Sequence, residues 1–118
     1  MATELPEYHL SPKAREDLEE IWAHSHSQWG TDRAENYIDS LTTALEQLAE
    51  APMLGEDCSS IRFGYRRFPV QRHVIYYRKF EFGIEVIRVL HVRMQASLHI
   101  RTGWRTRRGR RSGVPTSR

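Results

Sequence analysis

The residues best equipped for chemistry lie in the second half of the chain. Arg66, Arg67, Arg72, His73, Arg78, Arg88, His91 and Arg93 are interleaved there with Tyr65, Phe68, Tyr76 and Tyr77. Guanidinium groups neutralise phosphates and aromatic rings stack on bases, so the mixture suits a nucleic acid or an acidic protein surface. The same residues could equally form a solvated sheet face whose arginines pair with acidic helices, because basic strand residues also discourage edge-to-edge aggregation. Arg88 differs from the rest. Flanked by Ile87 and Val89 in the most apolar run, it needs a buried partner or a cleft to face.

Other chemistries lack their patterns. There is no phosphate-cradling glycine motif, no His-Glu-x-x-His and no serine in a nucleophile elbow. His24 and His26 are two apart, which on a helix points them about 200° away from each other and suits no shared metal. The carboxylates of the first half sit at spacings typical of solubilising charge on helix faces, where acid/base pairs are not expected. The single cysteine, Cys58, excludes an internal disulfide framework and reads as a loop residue. No metal and no cofactor are expected.

The elements that must position these residues follow from charge and periodicity. Residues 1–57 carry three Lys/Arg against thirteen Asp/Glu, and residues 58–100 carry eight against two. Residues 101–118 add seven arginines and no acid, so the alkaline pI of about 9.3 comes from the tail. The acidic half is expected to face solvent and the basic half a phosphate or an acidic partner. With 118 residues there is material for one hydrophobic core, so residues 1–100 are expected to form a single domain followed by a basic, disordered tail over 101–118. The first residues, Met1 to Pro6, lack a basic start followed by an apolar run, and no stretch approaches the ~18 apolar residues of a membrane span. A soluble, cytoplasmic protein without membrane partners is expected.

Tyr8-His9-Leu10 reads as a short strand running into a helix with Ser11 as N-cap and Pro12 at the first helical position. Ala14, Leu18, Ile21, Trp22 and Trp29 then mark one amphipathic helix over about 12–28. Gly30 can close it, and Thr31 or Asp32 can cap the next. Ala34, Tyr37, Ile38, Leu41, Leu45, Leu48 and Ala49 form the stripe of that second helix, which stops before Ala51-Pro52. A loop over 55–60 and strands over 65–68, 73–78 and 84–91 follow. Short links between them argue for an α+β fold: a two-helix hairpin packed on a small antiparallel sheet, in the order β-α-α-β-β-β. The last strand is apolar on both parities and should be central. The helices take one sheet face, so something else must shield the other.

The run from Tyr8 to about Ile100 also resembles the ParE toxins of the RelE/ParE superfamily. The resemblance is carried by Tyr8-His9-Leu10-Ser11-Pro12, Asp17-Leu18-Glu19-Glu20-Ile21-Trp22, Trp29-Gly30 before Ala34-Glu35-Asn36-Tyr37, and Leu48 to Gly55. It continues through Tyr65 to Val70, Arg72 to Arg78 and Ile84 to Met94. It implies the toxin of a type II toxin–antitoxin system, a device of growth inhibition and plasmid stabilisation. Several members poison DNA gyrase so that cleaved DNA accumulates, and members are neutralised by a cognate antitoxin. The partners implied are a ParD-like antitoxin, laid helix-in-groove across the hairpin and the open sheet face, and DNA gyrase, with DNA reached through gyrase. Target contacts are expected from Arg66, Arg67, Arg72, Arg78, Arg88, His91, Arg93 and Met94, and antitoxin contacts from Trp22, Trp29, Tyr37 and Leu41.

The rival within the superfamily is a ribosome-dependent mRNA endonuclease of the RelE type, which needs a base, an acid and cations for the phosphorane-like transition state. Its relatives often end the last strand with His-Tyr or a lone Tyr. Here the segment reads His91-Val92-Arg93-Met94, and Val74 stands where some nucleases carry arginine. The sequence therefore favours a binding inhibitor over an enzyme; were it a nuclease, Arg72, Arg88 and His91 would be its catalytic residues. A third class is an inactive toxin-fold protein that binds partners or nucleic acid.

Overall fold

A computed structural model describes residues 6–94, 96, 99 and 100. The element order is β1 (Glu7–Leu10), α1 (Pro12–Trp29), α2 (Thr31–Glu50), a 3-10 turn (Pro52–Leu54), β2 (Glu56–Asp57), β3 (Tyr65–Val70), β4 (His73–Phe80) and β5 (Gly83–His91). The basic tail lies outside the described residues.

Local chemistry sets the boundaries. Ser11 holds the extended conformation of an N-cap and its Oγ accepts from Ala14 N at 3.0 Å, satisfying a donor that the first helical turn leaves orphaned. The same hydroxyl donates to Ile87 O at 2.8 Å, so the cap also ties the start of α1 to β5. Gly30, at φ 90, ends α1 and is itself the N-cap of α2, with no side-chain cap from Thr31 or Asp32. One residue in the left-handed region thus makes the whole hairpin turn, which leaves no room for a separate capping residue.

The five strands run in the order β1-β5-β4-β3-β2. The expected fold class holds, with two corrections. The sheet is mixed, because β1 pairs parallel with β5 (Tyr8 opposite Ile84, Leu10 opposite Val86) while the other pairings are antiparallel. The two-helix hairpin is the crossover that parallel pairing requires. The segment read as a loop over 55–60 contains β2, which pairs through Glu56 opposite Arg67 and Asp57 opposite Arg66. Gly83 permits the parallel pair: at φ 144 its backbone lies so close to Glu7 that a Cβ would land on the Glu7 carbonyl.

Two cores sandwich the sheet. On the helix side Leu41, Leu45 and Leu48 of α2 pack with Ala14 and Ile21 of α1 on Ile75, Tyr77, Ile84, Val86 and Val89. On the other side Cys58, Tyr65, Val74, Tyr76 and Leu90 close under Ile100, with Ile61, Ile87 and Ala96 against them. The face for which a partner was expected as cover is therefore filled partly by this chain itself. Its alternating partners are visible in β4, where Val74 and Tyr76 face one core and Ile75 and Tyr77 the other. A bulge between Tyr76 and Tyr77 shifts the pairing of β5, so Val86 and Val89, three apart, share the helix side while Ile87 and Leu90 share the other.

Candidate functional site

β1 ends opposite Val86, so among the described residues nothing pairs as a strand with residues 87–91 of β5 on that side. Asp17 of α1 fills the gap. Its carboxylate accepts from Arg88 Nε at 2.8 Å and Nη2 at 2.9 Å, and also from Val89 N at 2.9 Å. The two side chains are only 16% and 9% exposed, so this is a two-pronged ion pair shielded from water, and the bond from Asp17 pushes the Arg88 guanidinium further into its charged range. Asp17 was expected to be a solvent carboxylate. It falls instead on the inward stripe Ala14, Asp17, Ile21, Ser25, which sequence periodicity could have revealed.

Above this pair a cleft of about 220 Å³ opens between the helix hairpin and the end of the sheet. Glu20, His24 and Trp29 of α1 line it, with Tyr37 of α2, Arg72 of the β3–β4 turn, His73 of β4, His91 of β5 and Met94 just beyond. Gln71, at φ 55, forms the tight turn that turns Arg72 back toward the hairpin.

Tyr37 organises the cleft. Its Oη accepts from Arg72 N at 3.1 Å and lies 2.6 Å from His73 Nδ1. All three groups are satisfied when the phenol proton goes to His73 Nδ1, which leaves the His73 proton on Nε2. His91 Nδ1 accepts from Arg93 N at 3.1 Å, so the neutral His91 ring also carries its proton on Nε2. The two rings meet edge to face with centroids 5.3 Å apart. Burial, and then the nearby His91, hold His73 down to about 4, while burial raises Tyr37. Arg72 and Arg33 both stack on Trp29, at 5.7 and 5.1 Å from the ring centroid.

Of the expected target contacts the structure brings Arg72, His91 and Met94 together in the cleft, sets Arg93 beside it and Arg88 beneath it, and leaves Arg66, Arg67 and Arg78 apart. Arg66 donates to Gly55 O at 2.9 Å, bracing the 3-10 turn. Arg67 lies 3.6 Å from Glu56, too long for a hydrogen bond, with its buried Nε unpartnered. Arg78 pairs with Glu85 at 3.2 Å and covers Phe80. Arg93 is exposed beside the cleft. Of the expected stacking rings, Tyr65, Tyr76 and Tyr77 are buried and offer no face to a base. Of the expected antitoxin contacts, Trp22 is 36% exposed and Trp29 half-buried, whereas Tyr37 and Leu41 are 8% and 1% exposed and spent on the core. Sequence reasoning named His73 among the basic strand residues and Tyr37 as an antitoxin contact but did not pair them, because only the packing of α2 on β4 brings residues 37 and 73 together.

His26 bonds Thr31 at 3.1 Å and His24 faces the cleft, so the two histidines diverge as expected. Cys58 is buried in the second core, and that burial raises its thiol, which disfavours the reactive thiolate. Among the described residues no helix is long and apolar enough to cross a membrane.

A two-helix hairpin on a mixed sheet, with a cleft at the end of the last strand, defines a small α+β protein built to present one concave surface. The family model "ParE toxin of type II toxin-antitoxin system, parDE" matches residues 8–96. The chain is 40% identical over 93 residues to Toxin ParE1 of Caulobacter vibrioides, covering 79% of this chain and 96% of that protein. It is 42% identical over 94 residues to Toxin ParE1 of Mycobacterium tuberculosis, with the same coverage of 79% and 96%. A solved chain from the chromosomal ParDE TA system of P. aeruginosa shares the fold at TM-score 0.65 and 18% identity, over 76% of this chain and 99% of that one. The chain belongs to the ParE family of type II toxin–antitoxin toxins.

Proposed function

We propose that this toxin inhibits DNA gyrase by direct binding, without making or breaking a bond itself, and is neutralised by a cognate ParD-like antitoxin. The observation that carries the reading is the family match over residues 8–96, which runs from within β1 past the end of β5. The toxin acts in the cytoplasm, where gyrase works on DNA. Arg72, His91, Arg93 and Met94 meet gyrase, or DNA held by gyrase, from the cleft rim, and Arg66, Arg67 and Arg78 extend the contact over the sheet. Arg88 contributes from beneath by fixing β5. Trp22 and Trp29 give the antitoxin its hydrophobic hold, supported by Tyr37, whose ring lies 6.4 Å from Trp29, and by Leu41 in the layer below. One structural neighbour comes from a ParDE system, which supports such a partner.

The cleft chemistry supports binding over cleavage. His73 and His91 both have Nδ1 occupied and keep a proton on Nε2, so neither offers a free basic nitrogen for a 2′-hydroxyl. Arg88 is committed to Asp17. One observation favours the endonuclease alternative, namely that Arg72 and His91 share one cleft with His73.

Two assays on the purified protein separate the readings. With gyrase and plasmid, blocked supercoiling or trapped breaks are expected; with translating ribosomes, intact mRNA is expected. Cut mRNA with unaffected gyrase would overturn the proposal.

A further inference from the structure

The cleft carries a set of donors that no other group among the described residues uses. His73 and His91 each have Nδ1 occupied, by Tyr37 and by Arg93 N respectively, and among the described residues neither Nε2 has a hydrogen-bond partner. Both rings line the cleft with Arg72. Arg72 and Arg33 flank the Trp29 indole, and among the described residues neither has a carboxylate within 4.0 Å, unlike Arg67, Arg78 and Arg88. The adjacent acid Asp17 is already engaged by Arg88 and Val89 N, which among the described residues leaves Glu20 as the one other carboxylate lining the cleft.

From this convergence we infer that the cleft is a binding site for a phosphate monoester, held by Arg72 and the Nε2–H groups of His73 and His91. A monoester carries roughly −1.5 to −2 charge and three acceptor oxygens, which matches the Arg72 guanidinium and two neutral N–H donors better than a single carboxylate does. The cleft, at about 220 Å³, is several times the ~30 Å³ share of a water molecule and admits a phosphoryl group. The groups facing His73 are Tyr37 from α2, His91 from β5, and Asp17 and His24 from α1. Two of these are histidines, whose charge helps hold the His73 ring neutral, so a bound anion should ease protonation of His73. The ligand is either a free mononucleotide or the phosphorylated end of a nucleic-acid strand. The chemistry is independent of which macromolecule the toxin inhibits.

The arginines of residues 101–118 also attract phosphate, so the readout must be local to the cleft. The full-length protein is titrated at constant ionic strength with inorganic phosphate, then adenosine 5′-monophosphate, while the imidazole nitrogens are followed by NMR. Saturable shifts at His73 and His91 are expected, weakened roughly tenfold by Arg72→Gln and unchanged by Lys79→Gln at the far end of β4. His91→Gln provides a second variant should Arg72→Gln disturb folding, and the same weakening is expected. Tighter binding of adenosine 5′-monophosphate than of phosphate identifies a mononucleotide, whereas preference for a 5′-phosphorylated oligonucleotide over both identifies a strand end. Shifts no larger than those caused by chloride, equal binding of acetate, or indifference to both cleft substitutions would overturn the assignment.

Discussion

Arg88 of β5 and Asp17 of α1 form the one shielded ion pair among the described residues, and the same carboxylate caps the backbone N–H of Val89. The pair welds the first helix to the strand whose end lines the cleft. Removing one partner leaves a buried charge uncompensated, which costs about 3–5 kcal/mol. Asp17→Ala should lower the unfolding free energy by that amount in urea titrations. A loss below about 1 kcal/mol, the range of an exposed pair, would show that the contact is not shielded in solution.

Tyr77 makes a second joint, toward the β2–β3 edge of the sheet. Its buried hydroxyl donates to Pro52 O at 2.6 Å and accepts from Gly55 N at 2.8 Å, pinning the 3-10 turn. Tyr77→Phe strands both backbone groups and should cost about 1–3 kcal/mol. Faster amide exchange confined to residues 52–57 is the accompanying signature, and its absence would mean that water replaces the hydroxyl.

Much of this was legible in the sequence. Ser11-Pro12 announced the start of α1, the leucine stripe announced α2, and Arg88 between Ile87 and Val89 demanded a buried partner that Asp17 supplies. What stayed hidden depends on contacts between residues far apart in the chain. The parallel pairing of β1 follows from how the hairpin returns, and four residues cannot state their neighbour. Tyr76 and Tyr65 read as stacking rings because the alternation of β4 and β3 reports two faces without saying that both are covered. The cleft was half visible: Arg72 and His91 were named, whereas Tyr37 and His73 meet only through the tertiary fold.

Acid should loosen the cleft. His73 is held near 4 in the folded chain against 6.5 for the free side chain. Its folded value is depressed, so the unfolded chain binds the proton more readily, and stability present above about pH 6.5 is lost as pH falls toward 4. Titration of unfolding free energy against pH in the wild type and in His73→Gln should show a shallower decline for the variant across that window. Parallel curves would mean that the ring titrates normally.

Trp22 and Leu41 should behave oppositely. Trp22 is 36% exposed, so Trp22→Ala is expected to change stability little while weakening antitoxin binding by about 2 kcal/mol or more if it anchors that interface. Leu41 is 1% exposed, and Leu41→Ala should cost about 2–5 kcal/mol of stability through the cavity left behind. Thermal melts and calorimetric titration with the antitoxin separate the two effects, and unchanged antitoxin affinity in Trp22→Ala would remove that residue from the interface.

The most direct test of toxicity by docking is the amount of linear plasmid recovered after detergent quench of gyrase incubated with the purified toxin. Linear DNA should rise with toxin concentration, fall when a cognate antitoxin is added, and drop with Arg72→Gln. Unchanged plasmid topology at toxin in large excess over gyrase, together with cleavage of ribosome-bound mRNA, would contradict it.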